Sequence, residues 1–127
     1  CTIPVQRFQI VQLFQNLIGN SLKYSSPDRP PHIHVSSASH SGSKNPLMDS
    51  DTIYCRISVQ DNGIGFDPAY AEKIFEVFQR LHGKTEYSGT GIGLAIVRKI
   101  VENHNGFISV KGEVDKGAEF LVFLPVK

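Results

Sequence analysis

From about Val5 to Tyr24 the apolar residues recur at helical spacing: Phe8, Val11, Leu13, Phe14, Leu17, Ile18 and Leu22. That spacing predicts one amphipathic helix. Ser25-Ser26-Pro27-Asp28-Arg29-Pro30-Pro31 ends it, because proline cannot continue a helix. The period then shortens. His32-Ile33-His34-Val35 alternates as a short strand, and Ile53 to Gln60 alternates as a half-buried one. Between them, Ser36 to Asp51 is rich in Ser, Gly, Asn and Pro and reads as a flexible hairpin excursion. Asp67-Pro68 supplies an N-cap and a first-turn proline for a short helix of about Pro68 to Ile74. Ile74 to Leu81 and a loose stretch, His82 to Ser88, follow. Ile92, Ala95, Ile96, Val97, Ile100 and Val101 give a second strong amphipathic helix, opened by glycines and ending near His104. Asn105-Gly106 is a left-handed helix stop. Phe107 to Lys111 and Ala118 to Leu124 then form a hairpin about a Gly112 to Gly117 turn. This order predicts an α+β fold: a two-layer sandwich in which a mixed, mostly antiparallel sheet is covered on one face by about three helices.

Composition narrows the class. The chain has 127 residues, 40% hydrophobic and 20% charged, with a formal net charge of +1. Those values suit a single globular domain spanning 1–127. A charge so near zero gives no field for nucleic acid or an anionic membrane. No apolar run approaches the roughly 18 residues of a membrane span. The first residue is Cys1, not Met, so the chain is expected to be a piece of a longer polypeptide. Cys55 shares a strand face with Ile53, Ile57 and Val59. It is expected to be a reduced core thiol in a cytoplasmic protein.

The polar residues carry the chemistry. Asn16, Asn20 and Lys23, spaced i, i+4, i+7, make one stripe along the first helix. Asparagine is a mediocre helix former, so two of them one turn apart ask for a reason. Two amides and an ammonium suit a metal ion and its phosphates; the competing reading is a solvated face. Asp61-Asn62-Gly63-Ile64-Gly65-Phe66 follows the alternating strand. A carboxylate at a strand end can accept a hydrogen bond from an amine such as that of adenine, beside glycines that let a ligand approach main-chain atoms. The competing reading is ordinary turn chemistry. Gly89-Thr90-Gly91-Ile92-Gly93-Leu94 leaves N–H groups and a positive dipole end for an anion. A dinucleotide-binding loop is disfavoured, since no strand runs into this segment. His32 and His34 would share a strand face, but nothing nearby supplies further metal ligands.

Four stretches stand in fixed order: Asn16 to Tyr24, Asp61 to Gly65, Phe75-Glu76-Val77-Phe78, and Gly89 to Leu94. Together they resemble the N, G1, F and G2 boxes of sensor histidine kinases, and the likeness covers nearly the whole chain from about Phe8. The chain is identified as a member of the catalytic and ATP-binding domains of that family, with the fold called Bergerat or GHKL. The Phe78 to His82 run is most similar to kinases with upstream sensory domains.

The resemblance implies the following. Asn20 would ligate the Mg²⁺ that bridges the ATP phosphates, with Asn16 beside it. Lys23 would reach phosphate and Tyr24 would flank the base or ribose. Asp61 would accept from the adenine amine, with Gly63, Ile64 and Gly65 around the base. Gly89, Thr90, Gly91, Ile92, Gly93 and Leu94 would hold the triphosphate. Arg80, and in second place Lys84, would stabilise charge on the γ-phosphate. Residues 67–88 would form a lid. The phosphoryl acceptor would be a histidine on a separate dimerisation domain of the same parent kinase, itself a homodimer serving a response regulator. None of the five histidines here sits in such a helix, and His104 is expected to be structural. Ser21 departs from the commoner alanine, with no functional cost expected.

Two rivals differ in kind. Other ATPases of the superfamily hydrolyse ATP with a glutamate one turn ahead of the metal-ligating asparagine; here that place is Asn16, and an amide cannot act as a base. A degenerate interaction module would have lost phosphate or base positions, and here all of them are present.

Overall fold

A computed structural model describes residues 3–42, 51–67, 69 and 93–126. Helix α1 spans Arg7–Lys23, strand β1 Ile33–Ser41, strand β2 Ile53–Asp61, helix α2 Gly93–Asn103, strand β3 Phe107–Glu113 and strand β4 Gly117–Pro125. The strands form one sheet in the order β1-β2-β4-β3, with all three pairings antiparallel. The α+β two-layer design holds, with no parallel pairing among the described residues. The short helix expected from Pro68 lies outside them, apart from its cap: the Ala69 N–H donates to Asp67 Oδ1 at 3.0 Å.

Both helices lie on one face of the sheet. Leu13 and Leu17 of α1 and Val97, Ile100 and Val101 of α2 share a buried cluster with Cys55, Ile57, Val59, Val110, Phe120, Val122 and Leu124. Period two on the strands and 3.6 on the helices bring those residues to one layer. The opposite sheet face is not bare. Tyr54 and Phe123 are buried there with Phe107 and Leu121 packed on them, and Ser58 Oγ donates to Glu119 Oε2 at 2.6 Å. Strand β2 is therefore buried on both faces over much of its length, not half-buried as its alternation predicts.

Three local expectations change. Strand β1 does not stop at Val35. Its ladder with β2 continues to Ser41 opposite Ile53, so six residues of the expected excursion are strand. Serine has little strand preference of its own, and pairing to a central strand overrides that. The polar, mostly exposed edge this makes is also a poor template for strand addition. Secondly, the β3–β4 turn is shorter than expected, because Gly112 and Glu113 are paired with Ala118 and Gly117. Thirdly, Cys55 is buried but disulfide-bonded, not the reduced thiol expected; the other cysteine, Cys1, lies outside the described residues.

The end of α2 behaves as read. Asn105 takes φ 59°. Its N–H bonds Glu102 O at 3.0 Å and that of Gly106 bonds Val101 O at 2.9 Å, the paired bonds of a left-handed helix cap. His104 has a structural task. Its Nε2 accepts the backbone N–H of Gln6, the N-cap residue of α1, at 2.9 Å, and its Nδ1 lies 2.8 Å from Ile100 O. One imidazole thus ties the start of α1 to the end of α2.

Candidate functional site

The C-terminal end of α1 and the segment after β2 meet directly. Tyr24, the C-cap of α1, donates its N–H to Asn20 O at 3.1 Å, and its own carbonyl accepts from Ile64 N at 2.9 Å. A Cβ on Gly63 would sit 2.4 Å from that same carbonyl, a separation real side chains do not reach. Helix end and loop can touch because residue 63 has no side chain. Asn20 therefore lies one helical turn from a residue bonded to the Asp61 loop.

Asp61 ends β2 with its carboxylate anchored by the backbone. Its Oδ1 accepts from Gly63 N at 2.9 Å and from Ala118 N at 3.3 Å. Neither bond uses Oδ2. Two N–H donors on one oxygen orient the group and leave the other oxygen as an acceptor for a ligand amine. Gly65 has φ +65°, and a Cβ there would lie 2.0 Å from Glu113 O. The bare backbone at 63 and 65 admits the chain's own neighbouring segments, and through them fixes the loop's shape.

The helix stripe is differently built. Asn16 and Asn20 are partly buried and Lys23 is exposed. Asn16 Nδ2 is buried without a hydrogen-bond partner. The Lys23 ammonium lies 5.5 Å from the centre of the Tyr24 ring, cation–π range. A buried donor left unsatisfied costs about 1–3 kcal/mol, so such a group asks for a ligand or a water. Of the remaining expected site residues, Gly93 and Leu94 open α2 and Leu94 packs against the core. Arg80, Lys84, Gly89, Thr90, Gly91, Ile92 and the rest of the expected lid lie outside the described residues. Among the described residues no His, Cys, Asp and Glu cluster could hold a metal, so His32 and His34 stay exposed strand-end residues.

Residues 6–127 match the family model described as "Histidine kinase-, DNA gyrase B-, and HSP90-like ATPase". The chain belongs to this family of ATPases. Within it, the chain is 42% identical over 125 residues to cyanobacterial phytochrome A of a Nostoc species, covering 98% of this chain and 15% of that protein. It is 37% identical over 119 residues to the sensor protein kinase WalK of Staphylococcus aureus, covering 92% of this chain and 26% of the relative. The chain thus spans a small part of the curated relatives it matches. Among solved structures, the catalytic domain of histidine kinase ThkA superposes with a TM-score of 0.71 at 28% identity, over 98% of this chain and 71% of that one. Full-length ShkA, solved with AMPPNP, superposes at 0.70 and 28% identity, over 92% of this chain and 21% of that one. A mycobacterial sensor kinase, MprB, shares the fold at 0.74 and 23% identity, over 97% and 74%. The ATPase-domain family is the one its four boxes resemble.

Three residues that shape the loop have no role assigned from the sequence, although Asn62 lies within the Asp61 to Gly65 stretch. Asn62 takes the N–H of His32 on its Oδ1 at 2.8 Å and donates Nδ2 to Pro30 O at 3.0 Å. Asp115, in the β3–β4 turn, donates its N–H to Ile64 O at 2.7 Å. Arg29 bonds the loop's carbonyls. Only Asn62 had a local signal, its turn preference; the others act across the fold.

Proposed function

We propose that this ATPase domain binds Mg–ATP and presents the γ-phosphate to a histidine on a separate dimerisation domain of a dimeric parent kinase, the first step of a two-component phosphorelay serving a response regulator. The observation that carries it is Asp61: a carboxylate held by two backbone N–H groups, beside the end of the helix that bears Asn20. The carboxylate accepts the adenine amine and so reads the base. The orphaned Asn16 amide and the oxygen of Asn20 suit a hard cation with a phosphate beside it. When bound, Mg²⁺ neutralises charge shared by the phosphate oxygens. Asn20 lends an amide oxygen to the ion. Lys23 brings an ammonium to phosphate, and Tyr24 flanks the base or ribose. Arg80 brings a forked guanidinium to the γ-phosphate, and the N–H groups of Gly89 to Leu94 hold the chain of phosphates. In phosphoryl transfer such positioning and charge compensation supply most of the catalysis. Asn16 provides no base for water, which favours transfer over hydrolysis. No helix among the described residues is long and apolar enough to cross a membrane, and a cytoplasmic setting fits a domain that spends ATP on signalling.

A fluorescent ATP analogue titrated with and without Mg²⁺ tests the binding. Labelled ATP, given to the chain alone and then with a separately made acceptor domain, tests the transfer. Label should pass to the acceptor. Strong self-labelling of the chain alone would overturn the phosphorelay assignment.

A further inference from the structure

Residues 62–64 carry six backbone polar groups, and each has a partner. The N–H of Asn62 bonds His32 O at 3.3 Å, that of Gly63 bonds Asp61 Oδ1 at 2.9 Å, and that of Ile64 bonds Tyr24 O at 2.9 Å. Ile64 O accepts from Asp115 N at 2.7 Å. The two remaining carbonyls fall to one side chain. Arg29 donates Nε to Asn62 O at 2.6 Å and Nη2 to Gly63 O at 2.7 Å. The same Nη2 reaches Asp115 O at 2.8 Å, and Nη1 stands 3.5 Å from Asp115 Oδ1. A planar fork can serve consecutive carbonyls and a third across the gap; an ammonium is a point and cannot. The distances sit at the short end for N–H···O bonds, as charge-assisted bonds do.

We propose that Arg29 is a positioning residue that sets the angle of the Asp61 carboxylate and thereby the selectivity for adenine; this rests on the reading of Asp61 above. Arg29 would act through the loop, whose carbonyls it bonds, and not through the base itself. It holds Gly63, whose N–H holds Asp61 Oδ1, and ties both to the β3–β4 turn next to Ala118, whose N–H holds the same oxygen. Without the guanidinium three carbonyls lose their donor, Gly63 is free to shift, and Oδ2 loses its fixed direction. A 6-amino purine then gains less from the carboxylate, and a 6-oxo purine, which the carboxylate repels, is penalised less.

The test measures ATP and inosine triphosphate affinities of the wild type, Arg29→Lys, and Arg98→Lys as a control on the exposed ion pair of α2 with Glu102, below the melting temperature of each. Wild type should prefer ATP; absence of that preference would sink the reading of Asp61 itself. Arg29→Lys should weaken ATP on the order of tenfold, the scale of one lost bond to a charged group, and leave inosine triphosphate unchanged or slightly tighter. Arg98→Lys should leave the ratio at the wild-type value. If Arg29→Lys keeps the wild-type ratio, whatever its stability, the positioning role is wrong. A wild-type measurement stands in if that variant does not fold. The amides of Gly63 and Ile64 should be protected from hydrogen exchange before nucleotide is added, and unprotected amides there would overturn the proposal.

Discussion

The base end and the metal end of the candidate site are built in opposite ways. Around Asp61 the chain satisfies its own polar groups: carbonyls, amides and the carboxylate all have partners within the protein. On α1, one turn before Asn20, Asn16 buries an amide with no partner. The first region is held by bonds within the protein; the second leaves a buried amide donor unpaired. Preorganisation limits the ordering cost of binding a base. An unsatisfied donor costs stability, and a ligand that paired it would recover that cost. On the function proposed above, a nucleotide would meet a fixed acceptor at one end and an unpaired amide at the other.

Asp61→Asn should break the contrast most severely. It keeps an oxygen for the loop amides but loses the charge, and a bond to a charged group is worth about 1.5–3 kcal/mol. ATP-analogue affinity should fall roughly 10- to 150-fold, and an unchanged titration would remove the base-binding role. Gly65→Ala attacks the loop's shape, since its Cβ would run into Glu113 O at a positive φ. Denaturant unfolding should register a loss of about 2–4 kcal/mol from overpacking and backbone strain. A wild-type midpoint would show that the loop is not rigid.

Asn16→Ala sharpens the other side. It removes an orphaned donor and improves helix propensity, so unliganded stability should rise by about 0.5–1 kcal/mol while Mg–ATP affinity drops. Stability and affinity moving in the same direction would mean that Asn16 is merely structural. Ser21→Ala should have the smallest effect. Ser21 is 2% exposed and its Oγ has no partner, so alanine should raise stability by about 1 kcal/mol and leave nucleotide affinity alone. A thermal melt paired with the titration checks both. The residue expected to be neutral for function thus still carries a stability cost.

Much of this was legible in one dimension. Helix α1 and strand β2 follow from their apolar periods, and the stop after α2 from Asn105-Gly106, because those signals are local and repeat within a few residues. Strand β1 was half legible: Ile33 and Val35 alternate, but Ser36 to Ser41 are strand only because β2 lies beside them. The site divided in the same manner. Asp61 and Asn20 stand in recognisable stretches, whereas Arg29 sits in a proline-rich connection with nothing to mark it.

The sequence alone determined the residue types and their local periods, hence which helices and strands form and which carboxylate and amides are available. Tertiary structure decided what those groups face. It joined Tyr24 to Ile64, Ala118 to Asp61 and Arg29 to Asn62, Gly63 and Asp115, positions separated by 33 to 86 residues in the case of Arg29. Each of these bonds has a backbone group of a distant segment as at least one partner, and which backbone group comes within reach depends on where the chain passes, so no short motif can announce them.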